Sequence, residues 1–211
     1  MEFHTWAAYL VAACIIAVSP GSGAVLSMSH GLSYGVRQTS ATILGLQLGL
    51  LLVLLIAGAG VGSLLIASET AFNIVKIVGA CYLIYIGFQQ WRSTGGLVTD
   101  EAAQPASTWQ KRTLSGFLTN ATNPKGIIFM VAVLPQFMTP SRPLWLQLLI
   151  LAVTTLAVDT VVMHGYAASA SVLRRLLRDS KAMQIQNKVF GGLLMLVGLG
   201  LFFVKRTQNA A

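Results

Sequence analysis

Three observations predict an all-α integral membrane protein, with six transmembrane helices forming two inverted three-helix repeats. The first is composition. Of 211 residues, 55% are hydrophobic and only 9% charged, against about 25% charged in soluble domains, and the mean hydropathy is +0.72. The second is a set of long apolar runs over 6–25, 39–67, 72–91, 114–137, 144–170 and 190–204. Each approaches or exceeds the roughly 20 residues that cross a bilayer as a helix. No period-2 alternation of a membrane barrel runs through them. The third is a pair of strings, Ser19-Pro20-Gly21 and Asn123-Pro124-Lys125, each inside a run where a helix should not break.

In the first span, Pro20 cannot continue a helix, because proline lacks the N–H and its ring meets the preceding turn. It suits the first position of a new helix, with Ser19 as cap. Helix 1 is therefore expected to be interrupted at Pro20. Met1-Glu2-Phe3-His4 lacks the basic stretch of a cleaved leader, so the first run is expected to be retained. The second span carries Gly45-x-x-x-Gly49 and Gly58-x-Gly60-x-Gly62, small residues that let backbones approach; packing within the chain is the expected use, a homodimer face the alternative. The third span begins Lys76-Ile-Val-Gly79 and contains Tyr82 and Tyr85 on one face.

A polar stretch over 95–110 reads as the linker between a first repeat, 1–94, and a second, 111–211. The fourth span is expected to be interrupted at Pro124, with Asn123 as cap. The fifth carries Asp159. The sixth begins Lys188-Val-Phe-Gly191, echoing the third, and carries further glycines. Three spans per repeat is odd, so the second copy enters from the opposite side.

Charge gives orientation. Arg37, Arg92, Lys111, Arg112, Arg174, Arg175, Arg178, Lys181 and Lys188 fall in or beside the loops after spans one, three and five. They outnumber Arg142, Lys205, Arg206 and Lys76 on the other side. The heavier side is expected in the cytoplasm, with both termini periplasmic. The net charge of +8 is thus a topology signal, and no nucleic-acid partner is expected. Trp6, Trp91, Trp109 and Trp145 sit at span ends as interfacial anchors. Cys14 and Cys81 are expected to be buried packing residues without a disulfide. No Cys/His spacing suits a metal, and no nucleotide-binding motif appears, so neither cofactor nor metal is expected.

Matched interrupted spans, one per half, point to a transporter's binding site. Two half-helix N-termini offer unpaired N–H groups and partial positive charge to an anion. Lys125 sits at a helix start, where the dipole disfavours a cation, so an anionic ligand or Asp159 should compensate it. Asp159 is the only acid deep in a span, a position that is costly and functional by default. It is the candidate proton carrier, with a structural carboxylate paired to Lys125 or to Thr154, Thr155 and Thr160 as the alternative. Ser19, Pro20, Gly21, Ser22, Gln47, Asn120, Asn123, Pro124, Lys125 and Tyr82 are the candidate substrate-binding residues. Uncapped carbonyls at the interruptions, with Asp159, would receive an ammonium group. The arrangement describes a small zwitterion.

Several of these strings also carry a resemblance. Ser19-Pro-Gly-Ser-Gly-Ala24, Gly45-Leu-Gln-Leu-Gly49, Asn120-Ala-Thr-Asn-Pro-Lys125, Pro135-Gln-Phe137 and Asn187-Lys-Val-Phe-Gly191 resemble the RhtB/LysE family of bacterial amino-acid exporters. The segments Gly79-Ala-Cys-Tyr-Leu-Ile-Tyr-Ile-Gly-Phe-Gln-Gln-Trp-Arg92 and Val158-Asp-Thr-Val-Val-Met163 look like its homoserine-exporting branch. Ser22 stands where the commoner Pro-Gly-Pro form has its second proline, which agrees with that branch. The resemblance runs nearly end to end. It implies export of homoserine, homoserine lactone and threonine across the bacterial inner membrane by proton antiport, and no enzyme activity. A membrane-embedded enzyme acting on a lipid or small polar head group is the alternative; it would need a nucleophile with an adjacent base. A third reading, a non-catalytic assembly subunit, has the buried Asp159 against it.

Overall fold

A computed structural model describes residues 1–67, 69–93, 108–170 and 180–203. These residues form helices and connections, with no strand among them. The helices are α1 (Phe3–Val18), α2 (Ser22–Tyr34), α3 (Val36–Ala67), α4 (Glu69–Arg92), α5 (Trp109–Ala121), α6 (Pro124–Val133), α7 (Leu144–Ala168) and α8 (Ser180–Phe203), with a 3₁₀ turn over Leu134–Phe137. Four contain stretches long and apolar enough to cross a membrane: Val36–Gly60, Asn73–Arg92, Leu144–Ala168 and Gln184–Phe203. The pair α1–α2, and α5 with Pro124–Phe137 (α6 and the 3₁₀ turn), pass the same test only when joined, and they bend by 55° and 51° at their breaks. The described chain therefore holds four to six candidate spans.

Large apolar side chains such as Val161, Leu196, Phe203 and Ile56 point outward, which water would oppose and lipid tails accept. The core is filled by Tyr9, Leu54, Leu83, Phe129, Leu134 and Leu151. Without a strong hydrophobic drive between helices in lipid, close packing and hydrogen bonds must hold the bundle.

Glycine supplies two of these contacts. Along α3 and α5, which run parallel, a Cβ on Gly45 would collide with the Thr113 carbonyl, and one on Gly116 with that of Thr42. Thr113 Oγ1 also donates to the Ala41 carbonyl at 3.0 Å. Along α4 and α8, which run antiparallel, Gly87 meets Gly191, and Gly198 lies against the Ala80 carbonyl. The Gly45-x-x-x-Gly49 face is thus used within the chain. The helices α1 and α7 pack in parallel through Trp6 Nε1 to Thr154 Oγ1 at 3.0 Å and a Tyr9–Thr155 hydroxyl pair.

Some expectations need correction. Cys14 and Cys81 are free, as expected, yet both are exposed on outer helix faces rather than buried; a thiol is apolar enough for lipid. Of the linker expected over 95–110, residues 109 and 110 are helical, since α5 starts at Trp109 with the Thr108 hydroxyl accepting from Lys111 N. The remainder of it, 95–107, lies outside the described residues, as do Arg174, Arg175, Arg178, Lys205 and Arg206.

Candidate functional site

The two breaks have different chemistry. At the second, the sequence reading agrees with the local geometry: Asn123 is the N-cap, its Oδ1 accepts from Lys125 N at 3.1 Å, and Pro124 takes the first turn. At the first, it does not. Helix α1 ends with Ser19 as its C-cap, Gly21 is the N-cap of α2, and Ser22 is its first helical residue. Ser19 therefore caps no restart, and Pro20 belongs to the connection. The physical reason is a competitor for the serine hydroxyl, supplied from the other half of the chain.

That competitor is Lys125. Its Nζ donates to the Ser19 carbonyl at 2.9 Å and to Ser19 Oγ at 2.8 Å. Ser19 Oγ in turn donates to Gln90 Oε1 of α4 at 3.3 Å. The neighbouring Val18 carbonyl accepts from the Tyr166 hydroxyl of α7 at 2.7 Å. Two carbonyls at the end of α1 are thus closed by side chains, so they do not await an ammonium group as the sequence suggested. The lysine ammonium, misplaced with respect to α6, is well placed at the negative end of α1, where a cation is favoured. Replacing Tyr166 by phenylalanine leaves the Val18 carbonyl unpaired and should cost about 1 kcal/mol of stability, read as a lowered Tm of the purified chain in detergent; an unchanged Tm would show that the cap contributes nothing.

Asp159 is near the middle of α7. Gln47 Nε2, near the middle of the apolar stretch of α3, donates to Asp159 Oδ2 at 2.8 Å. Gln47 Oε1 is buried with no hydrogen-bond partner among the described residues. The ion pairs among those residues join Glu2 to Arg142 and His4, so Asp159 and Lys125 do not pair. Neither do Thr154 and Thr155 serve Asp159: their hydroxyls donate to Ile150 and Leu151 carbonyls of their own helix.

Between these groups is a cavity of about 70 Å³, whose polar lining includes Ser19, Asn120, Asn123, Lys125, Thr155 and Asp159. Gly21 lines it as well. Asn120 Nδ2 is already committed to the Leu46 carbonyl at 2.9 Å. Apolar walls come from Leu50, Phe129, Met130 and Met163. Ligand pockets usually exceed about 300 Å³, so this cavity is contracted. The expected site residues do not all gather here. Gln47 reaches the site through Asp159, and Pro20 lines a separate cleft beside α4. Ser22 and Tyr82 line neither space; Tyr82 stands beside Tyr85, ring centroids 6.3 Å apart.

Gln90 and Tyr166 join the site without being singled out by the sequence. Gln90 was legible only as part of Gln89-Gln90-Trp91-Arg92 at the end of a span, where a polar residue reads as interfacial. Nothing local to Tyr166 signals that its hydroxyl reaches a helix end 148 residues away.

A family model described as LysE type translocator matches residues 14–205. A protein of Salmonella typhimurium named homoserine/homoserine lactone efflux protein is 44% identical over 198 residues, covering 94% of this chain and 96% of that protein. An uncharacterized membrane protein of Vibrio cholerae is 42% identical, covering 97% of this chain and all of the relative. A leucine efflux protein of an Enterobacter species is 30% identical over 91% of this chain and 90% of its own length. No solved structure matches.

Proposed function

The chain belongs to the LysE type translocator family, and from that premise we propose that it exports homoserine, homoserine lactone and threonine from the bacterial cytoplasm in exchange for protons. It is a membrane transporter of the amino-acid efflux kind, and not an enzyme. The observation that carries the finer reading is the convergence of Lys125, Asn123 and Ser19, from the two breaks, with Asp159 on one cavity.

The chemistry of recognition follows from what the three solutes share. Homoserine and threonine have a carboxylate, but the lactone has none. All three carry an α-ammonium group. With the Val18 and Ser19 carbonyls occupied, Asp159 is the carboxylate in the cavity lining that can receive that group, and Gln47 holds it in place. A carboxylate, or the lactone carbonyl, would face Lys125 and the N–H of Gly126, which lines the cavity at the start of α6. A carboxylate that holds an ammonium cannot hold a proton, and the reverse. Such exclusive occupancy of Asp159 by solute or proton is the physical basis of antiport.

The geometry gives no support to the enzyme alternative. Ser19 Oγ gives its hydrogen to Gln90 and accepts from Lys125, so the lysine acts there as a donor and not as a base.

The bent pairs are read as spans one and four, each interrupted in the membrane near Pro20 and Pro124. The halves 1–94 and 111–211 are read as inverted repeats. In support, α4 packs on α8 and α3 on α7, which are corresponding spans. The loops rich in Lys and Arg then face the cytoplasm, both termini face the periplasm, and the membrane is the inner one.

The test is transport by purified protein in liposomes. An imposed pH gradient should drive labelled homoserine against its concentration gradient, and dissipating the gradient should stop it. Flux indifferent to pH would remove the antiport reading.

A further inference from the structure

A second space lies on the far side of Lys125. It is a cleft of about 320 Å³ lined by Pro20, Gln89, Gln90, Ser93, Asn187 and Lys125, with Ile86 and Leu194 as apolar floor. Its volume falls within the ordinary range for ligand pockets, whereas the central cavity at about 70 Å³ does not. The cleft sits at the end of α4 that reaches Ser93, where Asn187 Nδ2 ties α8 to the Ser93 carbonyl at 3.0 Å. It continues outward along Phe88, Gln89 and Arg92. Among the described residues, Lys125 is the one that lines both the cleft and the central cavity. Its ammonium is held in place by Ser19, and Ser19 by Gln90, so helices α1, α4 and α6 meet at this point.

We propose that the α4–α8 cleft is an entrance site for the amino-acid solute, and that Lys125, latched onto Ser19, is the partition the solute displaces to reach Asp159. This rests on the transport reading above. Side-chain amides of Gln89, Gln90 and Asn187 are neutral donors and acceptors, suited to a zwitterion that must not be bound too tightly at the door. The solute's carboxylate or carbonyl oxygen competes with the Ser19 oxygens for the lysine N–H groups. The exchange replaces hydrogen bonds with hydrogen bonds, so it opens the way without leaving a bare ammonium in an apolar wall. The Lys125 chain passes over Gly21, where even a Cβ would make only ordinary van der Waals contact with it, at 3.8 Å from Nζ.

The test uses the full chain in lipid nanodiscs, where both membrane faces meet the reagent, in a Cys14→Ala, Cys81→Ala background. A single cysteine is placed in the central cavity (Ala17→Cys) or in the cleft (Gln89→Cys), and labelling by a small quaternary-ammonium thiosulfonate is timed. Lys125→Met should speed labelling at position 17 by about tenfold or more and leave position 89 unchanged. Saturating homoserine should slow labelling at position 89 in the chain that keeps Lys125. Ser19→Ala, which removes one of the two latch oxygens, should give a smaller acceleration at position 17, and it serves if Lys125→Met does not fold. Equal labelling at position 17 with and without the latch overturns the partition, and no protection at position 89 overturns the entrance site. Homoserine flux by the unmodified chain is measured alongside: its absence sinks the transport reading, whereas its presence with either negative result sinks this proposal alone.

Discussion

Asp159→Asn is expected to abolish homoserine export driven by a pH gradient while leaving the protein folded. Asparagine keeps the shape and can still bond to Gln47, but it holds neither a proton nor, with full charge, an ammonium. Losing one member of a desolvated charge pair costs about 2–5 kcal/mol, so solute affinity should fall by roughly 30-fold to several thousandfold. The pH dependence should vanish with it. In the unaltered chain, acidifying the side from which solute binds should weaken binding, because the proton occupies the carboxylate; in the variant the same titration should be flat. Equilibrium binding of labelled homoserine across a pH series reads both effects. Unaltered, pH-dependent flux in Asp159→Asn would end the role assigned to this residue.

Gly45→Val is expected to be the most damaging single substitution for the bundle. Any Cβ at this position runs into the Thr113 carbonyl, which is backbone and cannot rotate aside. The helices must separate, and overpacking of that kind costs about 3 kcal/mol or more. The damage reaches the site, because α3 carries Gln47 and α5 leads to Asn120 and the cap at Asn123. Gly116→Val should behave alike, since its Cβ would strike Thr42 from the other side. Gly60→Ala and Gly200→Ala are the controls: nothing lies within 4 Å of a Cβ at either, so their effects should stay within about 0.5 kcal/mol. Thermal stability of detergent-extracted protein, followed by size-exclusion chromatography, ranks the four. A Gly45→Val protein as stable as Gly60→Ala would contradict the close crossing of α3 and α5.

Much of the architecture is legible in the sequence, because membrane helices are specified by local properties. Long apolar runs announce spans α3, α4, α7 and α8. Two prolines in apolar runs announce that helices end nearby, and the chain does divide after Val18 and after Ala121. Asp159 stood out because no other acid lies so deep. The cap at Asn123 was also local: its acceptor and the Lys125 N–H are two residues apart.

What escaped reading was partnership. The sequence placed Lys125 at the wrong end of a helix dipole and left its compensation open between a solute and Asp159. The answer is the C-terminus of α1, 106 residues away. Ser19 was read as a cap because serine before Pro-Gly has that local habit; a distant ammonium and an amide from α4 claim the hydroxyl instead. Tyr82 shares a helix face with Tyr85 in the sequence, yet it lines neither the central cavity nor the cleft.

The sequence by itself determined that the chain is all helical, that it holds stretches apolar enough to enter lipid, and that an acid, Asp159, falls inside one of them. Those depend on hydropathy and spacing along one segment. Only the tertiary structure decided which polar group answers which, because each unpaired carbonyl, hydroxyl or ammonium in an apolar bundle must find a partner across helices, and that choice depends on how the glycine-lined crossings set each helix's rotation and height.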